Sequence, residues 1–322
     1  VPDFVRHDRK TSPIVFLAIL LLLLASSLPA SAADRKLRIT PILNPTANAE
    51  VPIDWHDLNG DSRPDLLARE ASTGLIYAYA HRGFNGTDTY SVRTLVISGA
   101  QWLDWIFLSE VTGDFAADLI ARRTDGTLVV YRGTGRLNGT STFESPVEVN
   151  VGWRDITSIS IADVTGDGDN DIIGRWPDGR LFTYPNVGVF DGMNTFAGPE
   201  QIGASWNIMA WMGSAELTSD DEKPDLMGWR ASDGTMQLYP RARWYDGSNT
   251  FVGPVQVGTG WNTVEVKSLV TVTNDPFTDI VARRPGTGEL IVYPNAGGYD
   301  GNETFRSPVL IGTGWGPMDL IT

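Results

Sequence analysis

The 322-residue chain contains no cysteine and only three histidines. Without cysteine there are no disulfides, no thiolate metal centre and no cysteine nucleophile, so stability must come from burial, hydrogen bonds and bound ions. Only His56 and His81 lie beyond the N-terminal segment, and no G-x-S-x-G occurs, so a nucleophile with an adjacent base is not indicated. Long apolar runs are also missing. The longest, Ile14 to Ala25, falls short of the roughly 20 residues a membrane-spanning helix needs, which argues against membrane insertion. Preceded by Arg6, Arg9 and Lys10 and followed by Ala30-Ser31-Ala32, it predicts a secretory signal over residues 1–32 and an exported protein. Basic residues are in deficit, 25 Lys and Arg against 39 Asp and Glu, for a net charge of −14. Such a surface repels nucleic acid and attracts divalent cations.

What is present is a repeat. Tyr79, Tyr131, Tyr184, Tyr239 and Tyr293 recur at about 53 residues, each ending an apolar run such as "TLVVY" or "ELIVY". Trp102, Trp153, Trp206, Trp261 and Trp315 keep the same beat, and [ND]-G-x-x-T-[FY] falls between the two markers five times, as in "DGMNTF" and "DGSNTF". Apolar residues alternate or run in short sets between Gly, Asp, Asn and Pro, which reads as β structure, with Asp-Gly hairpin turns at 125–126, 178–179 and 233–234. Four strands per repeat and five repeats predict an all-β, five-bladed β-propeller over residues 54–322, with repeats near 54–107, 108–160, 161–213, 214–268 and 269–322. Two segments could close the ring: "KLRITPIL" (36–43) in the 33–53 segment, or the C-terminal "MDLIT". A sixth, partial blade stays open as well.

Each repeat carries an acidic loop. "DVTGDGDND" places Asp163, Thr165, Asp167, Asp169 and Asp171 at alternate positions, and "DLNGDSRPD" places Asp57, Asn59, Asp61, the carbonyl of Arg63 and Asp65 likewise. Alternate residues of a tight loop can direct hard oxygen ligands at Ca²⁺. This loop, repeated between strands, resembles the FG-GAP and VCBS repeat family, whose members include the integrin α-subunit propellers. The resemblance implies calcium in repeats 1 and 3, most simply as a structural ion. "EVTGDFAAD" (110–118) departs from the pattern at Glu110 and Phe115. "ELTSDDEKPD" and "TVTNDPFTD" depart further, and are read as metal-free turns capped by Asp225 and Asp279.

Paired carboxylates would suit a glycoside hydrolase, but these acids recur with the repeat instead of standing apart. The reading is a non-catalytic binding propeller with carbohydrate, a glycan or cell-surface polysaccharide, as the leading ligand and an extracellular protein as the alternative. Sugar recognition needs an aromatic ring and planar polar groups. The candidates are Trp153, Trp206, Trp261 and Trp315, with Asp191 and Asn194, Tyr245, Asp246 and Asn249, and Tyr299 and Asp300. Packing of each Trp between blades is the competing expectation. A recurring arginine, Arg69, Arg122, Arg175 and Arg283 with Trp229 in its place in repeat 4, either faces the central channel or bridges to an acid on the next blade.

Overall fold

The computed structural model describes residues 55–217 and 223–322; the expected signal, the 33–53 segment and part of the fourth acidic loop lie outside them. Among the described residues, twenty strands form five four-stranded antiparallel sheets. Blade 1 contains β1 (Leu66–Glu70), β2 (Leu75–Tyr79) and β3 (Thr94–Ile97). Blade 2 is β4 (Leu103–Ser109), β5 (Asp118–Arg123), β6 (Leu128–Tyr131) and β7 (Val147–Asn150); blade 3 is β8 (Ser158–Ala162), β9 (Asp171–Arg175), β10 (Leu181–Tyr184) and β11 (Glu200–Gly203). Blade 4 is β12 (Met209–Ala215), β13 (Asp225–Arg230), β14 (Met236–Tyr239) and β15 (Val255–Gly258); blade 5 is β16 (Glu265–Val270), β17 (Asp279–Arg283), β18 (Leu290–Tyr293) and β19 (Val309–Gly312). The last strand, β20 (Met318–Ile321), returns to pair with β1 and completes blade 1. The fold is a five-bladed β-propeller.

Ring closure therefore falls to "MDLIT". Leu67 and Thr322 exchange both backbone hydrogen bonds at 3.0 Å, which removes the open edge that blade 1 would otherwise present. Every sheet takes its innermost strand from the end of the preceding sequence interval: β4 begins at Leu103, inside the interval 54–107.

The core lies between blades. Each of the five hydrophobic clusters joins two neighbours: Ile76 and Val96 of blade 1 pack with Leu103 and Leu108 of blade 2, and Leu181 and Ile202 of blade 3 pack with Met209 and Leu226 of blade 4. Burial of each such side chain contributes about 1.5–3 kcal/mol, so a blade cut from the ring loses much of its stabilisation. Antiparallel order sorts the connections onto two faces. The acidic loops and the [ND]-G-x-x-T-[FY] loops, which join strands one to two and three to four of each blade, share one face. The hairpins and the crossings to the next blade share the other.

Candidate functional site

In every blade the last acid of the acidic loop is buried and ties two segments together. Asp118 Oδ2 accepts from Val111 N at 3.1 Å and its Oδ1 from Gly133 N at 2.9 Å; Asp171 does the same with Val164 N and Asn186 N, both at 2.9 Å. Asp65, Asp225 and Asp279 repeat the pattern. Burial pushes Asp65, Asp118 and Asp171 up to about 7 and Asp279 up to about 6. The clamp is thus common to loops that match the calcium pattern and loops that do not.

The first acid is also engaged by backbone. Asp57 Oδ1 accepts from Asn59 N, Gly60 N and Asp61 N at 2.7–3.3 Å, and Asp163 holds Gly166 N, Asp167 N and Gly168 N at 2.6–3.1 Å. Asp61 and Asp167 accept from Arg63 N and Asp169 N. Gly166 and Gly168, at φ +82° and +96°, supply the left-handed backbone that this curl requires. Among the described residues no three Asp, Glu or His side chains converge as around a metal ion. The donor set nevertheless suits Ca²⁺ in kind, being all oxygen, and the buried Thr165 hydroxyl makes no hydrogen bond.

The four candidate tryptophans are packing residues. Trp153 is 1 % exposed, and Trp206, Trp261 and Trp315 are 5–6 % exposed. Each ring packs at a tilt against the marker tyrosine of the next blade: Tyr184, Tyr239, Tyr293 and Tyr79, at centroid distances of 4.4–4.7 Å. Rings so enclosed offer no face to a sugar, which corrects the ligand-stacking expectation for these four. Close approach requires the preceding glycine, since a methyl on Gly258 or Gly312 would lie 2.4 Å from the indole Nε1. The backbone N–H of each Trp donates to the hairpin glycine of its own blade: Trp153 to Gly126, Trp206 to Gly179, Trp261 to Gly234 and Trp315 to Gly288, at 2.9–3.0 Å. Ala100 makes that bond in blade 1, to Gly74 at 2.9 Å, so Ala100 occupies the position and Trp102 is two residues out of phase.

The recurring arginine braces four of the five seams. Arg122 donates through Nη1 to Trp153 O (3.1 Å) and Ile156 O (2.6 Å) on the way into blade 3, while Nε holds Asp104 (2.7 Å) on strand β4 of its own blade. Arg69 and Arg283 make the same carbonyl contacts and pair with Asp319 and Glu265. The acid is on the arginine's own blade and the next blade supplies carbonyls, which corrects the expected bridge to a neighbouring acid. In blade 3 the acid's position holds Thr157, and in blade 4 the acid's and arginine's positions hold Ala210 and Trp229.

The [ND]-G-x-x-T-[FY] loop clasps the preceding blade. The Thr is at most 1 % exposed in all five loops, and its hydroxyl closes the loop, as Thr195 Oγ1 does by accepting from Asp191 N at 3.0 Å. Gly247 and Gly192, at φ +48° and +49°, supply left-handed backbone in van der Waals reach of Gln201 O and Glu148 O of the blade before. At the seams between blades 3 and 4 and between blades 4 and 5, an aromatic ring with polar groups stays accessible. Tyr245 OH donates to Glu200 Oε2 across the seam at 2.6 Å, beside the exposed Asp246–Asn249 pair (3.2 Å). Asp191 and Asn194 form the matching pair at 3.1 Å. Tyr299 is 43 % exposed, next to Asp300 and to Asn302, which accepts from Gln256 of blade 4 at 3.1 Å. These residues sit on the acidic-loop face and the tryptophans on the other, so the fold does not bring the two groups together.

Residues 110–174, from the second acidic loop through the third, match the family model described as an FG-GAP-like repeat. That segment is similar to an FG-GAP-like repeat. No curated protein matches the chain in sequence. Among solved structures, the BP39L lectin from Burkholderia pseudomallei is similar at 15 % identity and TM-score 0.41, covering 80 % of this chain and 68 % of its own. The Tc holotoxin pore of Photorhabdus luminescens is similar at 15 % identity and TM-score 0.39; 84 % of this chain is covered, but it spans only 13 % of the toxin chain. BBS1N, solved in complex with ARL6DN, is similar at 14 % identity and TM-score 0.36, with 74 % of this chain and 77 % of that one covered.

Sequence reasoning missed the channel between the innermost strands of the propeller. On the hairpin face a cavity of about 240 Å³ is lined by Trp105, Trp211, Thr157, Ser160, Lys267 and Ser268. On the loop face another, about 270 Å³, is lined by His56, Ser109, Asp163, Asn170, Glu216 and Thr271. The signal for the first was the pair of Trp residues at 105 and 211, which do not recur in the other repeats.

Proposed function

We propose that the protein is an exported, non-catalytic propeller that binds carbohydrate at its blade seams and is stabilised by Ca²⁺. The observation that carries this reading is the accessible set at successive seams, Tyr245 with Glu200, Asp246 and Asn249, then Tyr299 with Gln256, Asp300 and Asn302. An aromatic face beside amides and carboxylates is what a pyranose needs, because its C–H face packs on the ring while its hydroxyls take the polar groups. Repetition around a ring lets weak single contacts add up. In loops 57–65 and 163–171, Ca²⁺ would be held by Asp57, Asn59, Asp61, the Arg63 carbonyl and Asp65, and by Asp163, Thr165, Asp167, Asp169 and Asp171. It would neutralise acids whose mutual repulsion adds to the raised pKa values of Asp65 and Asp171.

A second reading, docking of an extracellular protein, draws on exposed apolar side chains of the same face: Val189, Met193, Trp244 and Val252 at 48–69 % exposure. A glycan array probed with and without EDTA separates the two. Specific glycan signals that fall on substitution of Tyr245 and Tyr299 support the carbohydrate reading, whereas an array with no hits removes it and leaves the protein-docking surface.

A further inference from the structure

The innermost strands line the hairpin-face cavity, and at one position blade 5 departs from the other four. Two residues beyond the side chain that meets each brace's Nε stand Ile106, Ile159 and Ile321, and Met212 lies two beyond Ala210; all four are buried and line the cavity. Blade 5 places Lys267 there, two beyond Glu265. The brace of that blade does not need it. Arg283 already holds Glu265 Oε2 through Nε (2.9 Å) and Nη2 (2.5 Å), and the same pairing of Arg69 with Asp319 in blade 1 goes with Ile321 and no lysine. Lys267 Nζ gives one of its three donors to Glu265 at 2.9 Å, which leaves two for the cavity it lines.

The next residue is Ser268, 3 % exposed, whose hydroxyl makes no hydrogen bond although it lines the same cavity. Buried hydroxyls are ordinarily paired, so an open one on a cavity wall marks a place for a ligand atom. At the position of Ser268 blade 4 has Gly213, where a methyl would lie 2.5 Å from Cη2 of the Trp211 ring. The missing side chain lets that half-buried ring lie along the wall, which Gly213 and Trp211 both line. Asp319 lines it as well, and its carboxylate keeps acceptor capacity beyond the bonds from Arg69. The wall thus carries one ammonium, one carboxylate and an open hydroxyl around an indole. A cationic ligand would meet Lys267 and an anionic one Asp319, so the site suits a neutral ligand whose groups both donate and accept. At about 240 Å³ the cavity is smaller than the roughly 300–1,000 Å³ that houses drug-sized ligands, which limits the occupant to about one sugar ring.

We propose that this cavity binds one neutral hexose residue, its C–H face on Trp211 and its hydroxyls on Lys267, Ser268 and Asp319. The proposal rests on the carbohydrate reading and adds to the seams a site of different composition on the opposite face. An indole with donors and acceptors set around it supplies what a pyranose needs on both its apolar and its hydroxylated sides.

Isothermal titration with D-glucose, D-galactose and D-mannose tests it, in the full chain carrying Tyr245→Ala and Tyr299→Ala so that the seam rings are gone. At least one hexose is expected to bind, about tenfold or more tightly than D-glucuronate and D-glucosamine, whose charges meet Asp319 and Lys267. Ser268→Ala removes a hydroxyl that the free protein leaves unpaired, so it should weaken hexose binding about fivefold while the melting temperature holds or rises. Lys267→Met, which installs the side chain of blade 4, should weaken it about tenfold, the order of effect of a hydrogen bond from a charged group. Gly213→Ala displaces the Trp211 ring and should weaken it as well. No hexose bound, or a hexose bound equally after Ser268→Ala and Lys267→Met, overturns the site; glucuronate or glucosamine bound as tightly overturns its neutral occupant. Array glycans captured through Tyr245 and Tyr299 without any hexose in this cavity would sink the inference and leave the seam reading standing. Hexose bound here with an array indifferent to those tyrosines would do the reverse.

Discussion

Replacing Asp279 with alanine removes the acceptor for three backbone donors at once: Val272 N (2.9 Å) and Thr273 N (2.8 Å) on Oδ2, and Asn295 N (2.8 Å) on Oδ1. Asp279 and Val272 are fully buried and Asn295 is 1 % exposed, so water cannot replace the carboxylate without local opening. At the low end of about 1 kcal/mol for each stranded donor, the loss is roughly 3 kcal/mol at pH 8. The loss grows on acidification. Folding raises the Asp279 pKa from 3.8 to about 6, so the native state binds the proton more tightly than the unfolded chain. For a carboxyl with a raised folded pKa, stability increases as pH falls through about 6 and levels off below the unfolded value. Between pH 8 and pH 5 the wild type gains about 1.4 kcal/mol from this group, and the alanine variant does not. Urea unfolding of both proteins at the two pH values measures the difference directly. A variant equal to wild type at pH 8, or a gap between them that narrows at pH 5, refutes the clamp.

Trp153→Ala should cost about 3–5 kcal/mol, as a fully buried large aromatic does, and lower the urea midpoint without altering the seam residues. Gly174→Ala brings a methyl within 2.9 Å of the Trp153 ring, where overpacking costs about 1–3 kcal/mol, read from the shift in thermal midpoint. Installing the missing brace of blade 4, Ala210→Asp with Trp229→Arg, should stabilise more together than the two single changes sum to in a double-mutant cycle; strict additivity would show that no fork forms. Calcium at 100 times its dissociation constant should add about 2.7 kcal/mol to unfolding, seen as a thermal midpoint that EDTA reverses. Asp163→Asn should reduce that shift, and no shift in the wild type removes calcium from the account.

The architecture was legible because it repeats. A tyrosine at the end of every third strand and an Asp-Gly turn in three hairpins leave a small choice of folds, and the sheets follow that reading blade by blade. Ring closure was not legible, because "KLRITPIL" and "MDLIT" carry the same alternation and only pairing partners distinguish them. The tryptophans misled for a physical reason: a large ring recurring beside glycine describes a sugar platform and a seam filler equally well, and burial decides between them. Trp102 went astray because its own repeat places Ala100 in the slot, a substitution visible only through the bond to Gly74. Arg175 was seen as one of a series. That its blade carries Thr157 where the others carry Asp104, Glu265 and Asp319 showed only in the partner each arginine Nε takes.

The most direct test of the central claim is a titration of the wild-type protein and of Tyr245→Ala, Tyr299→Ala and the double variant against the best glycan from the array, with melting temperatures in parallel. The account predicts that each single change weakens binding by roughly tenfold, about 1.4 kcal/mol, and the double by more. Melting temperatures should stay within a few degrees of the wild type. Undiminished glycan binding in the double variant, with the fold intact, would contradict it.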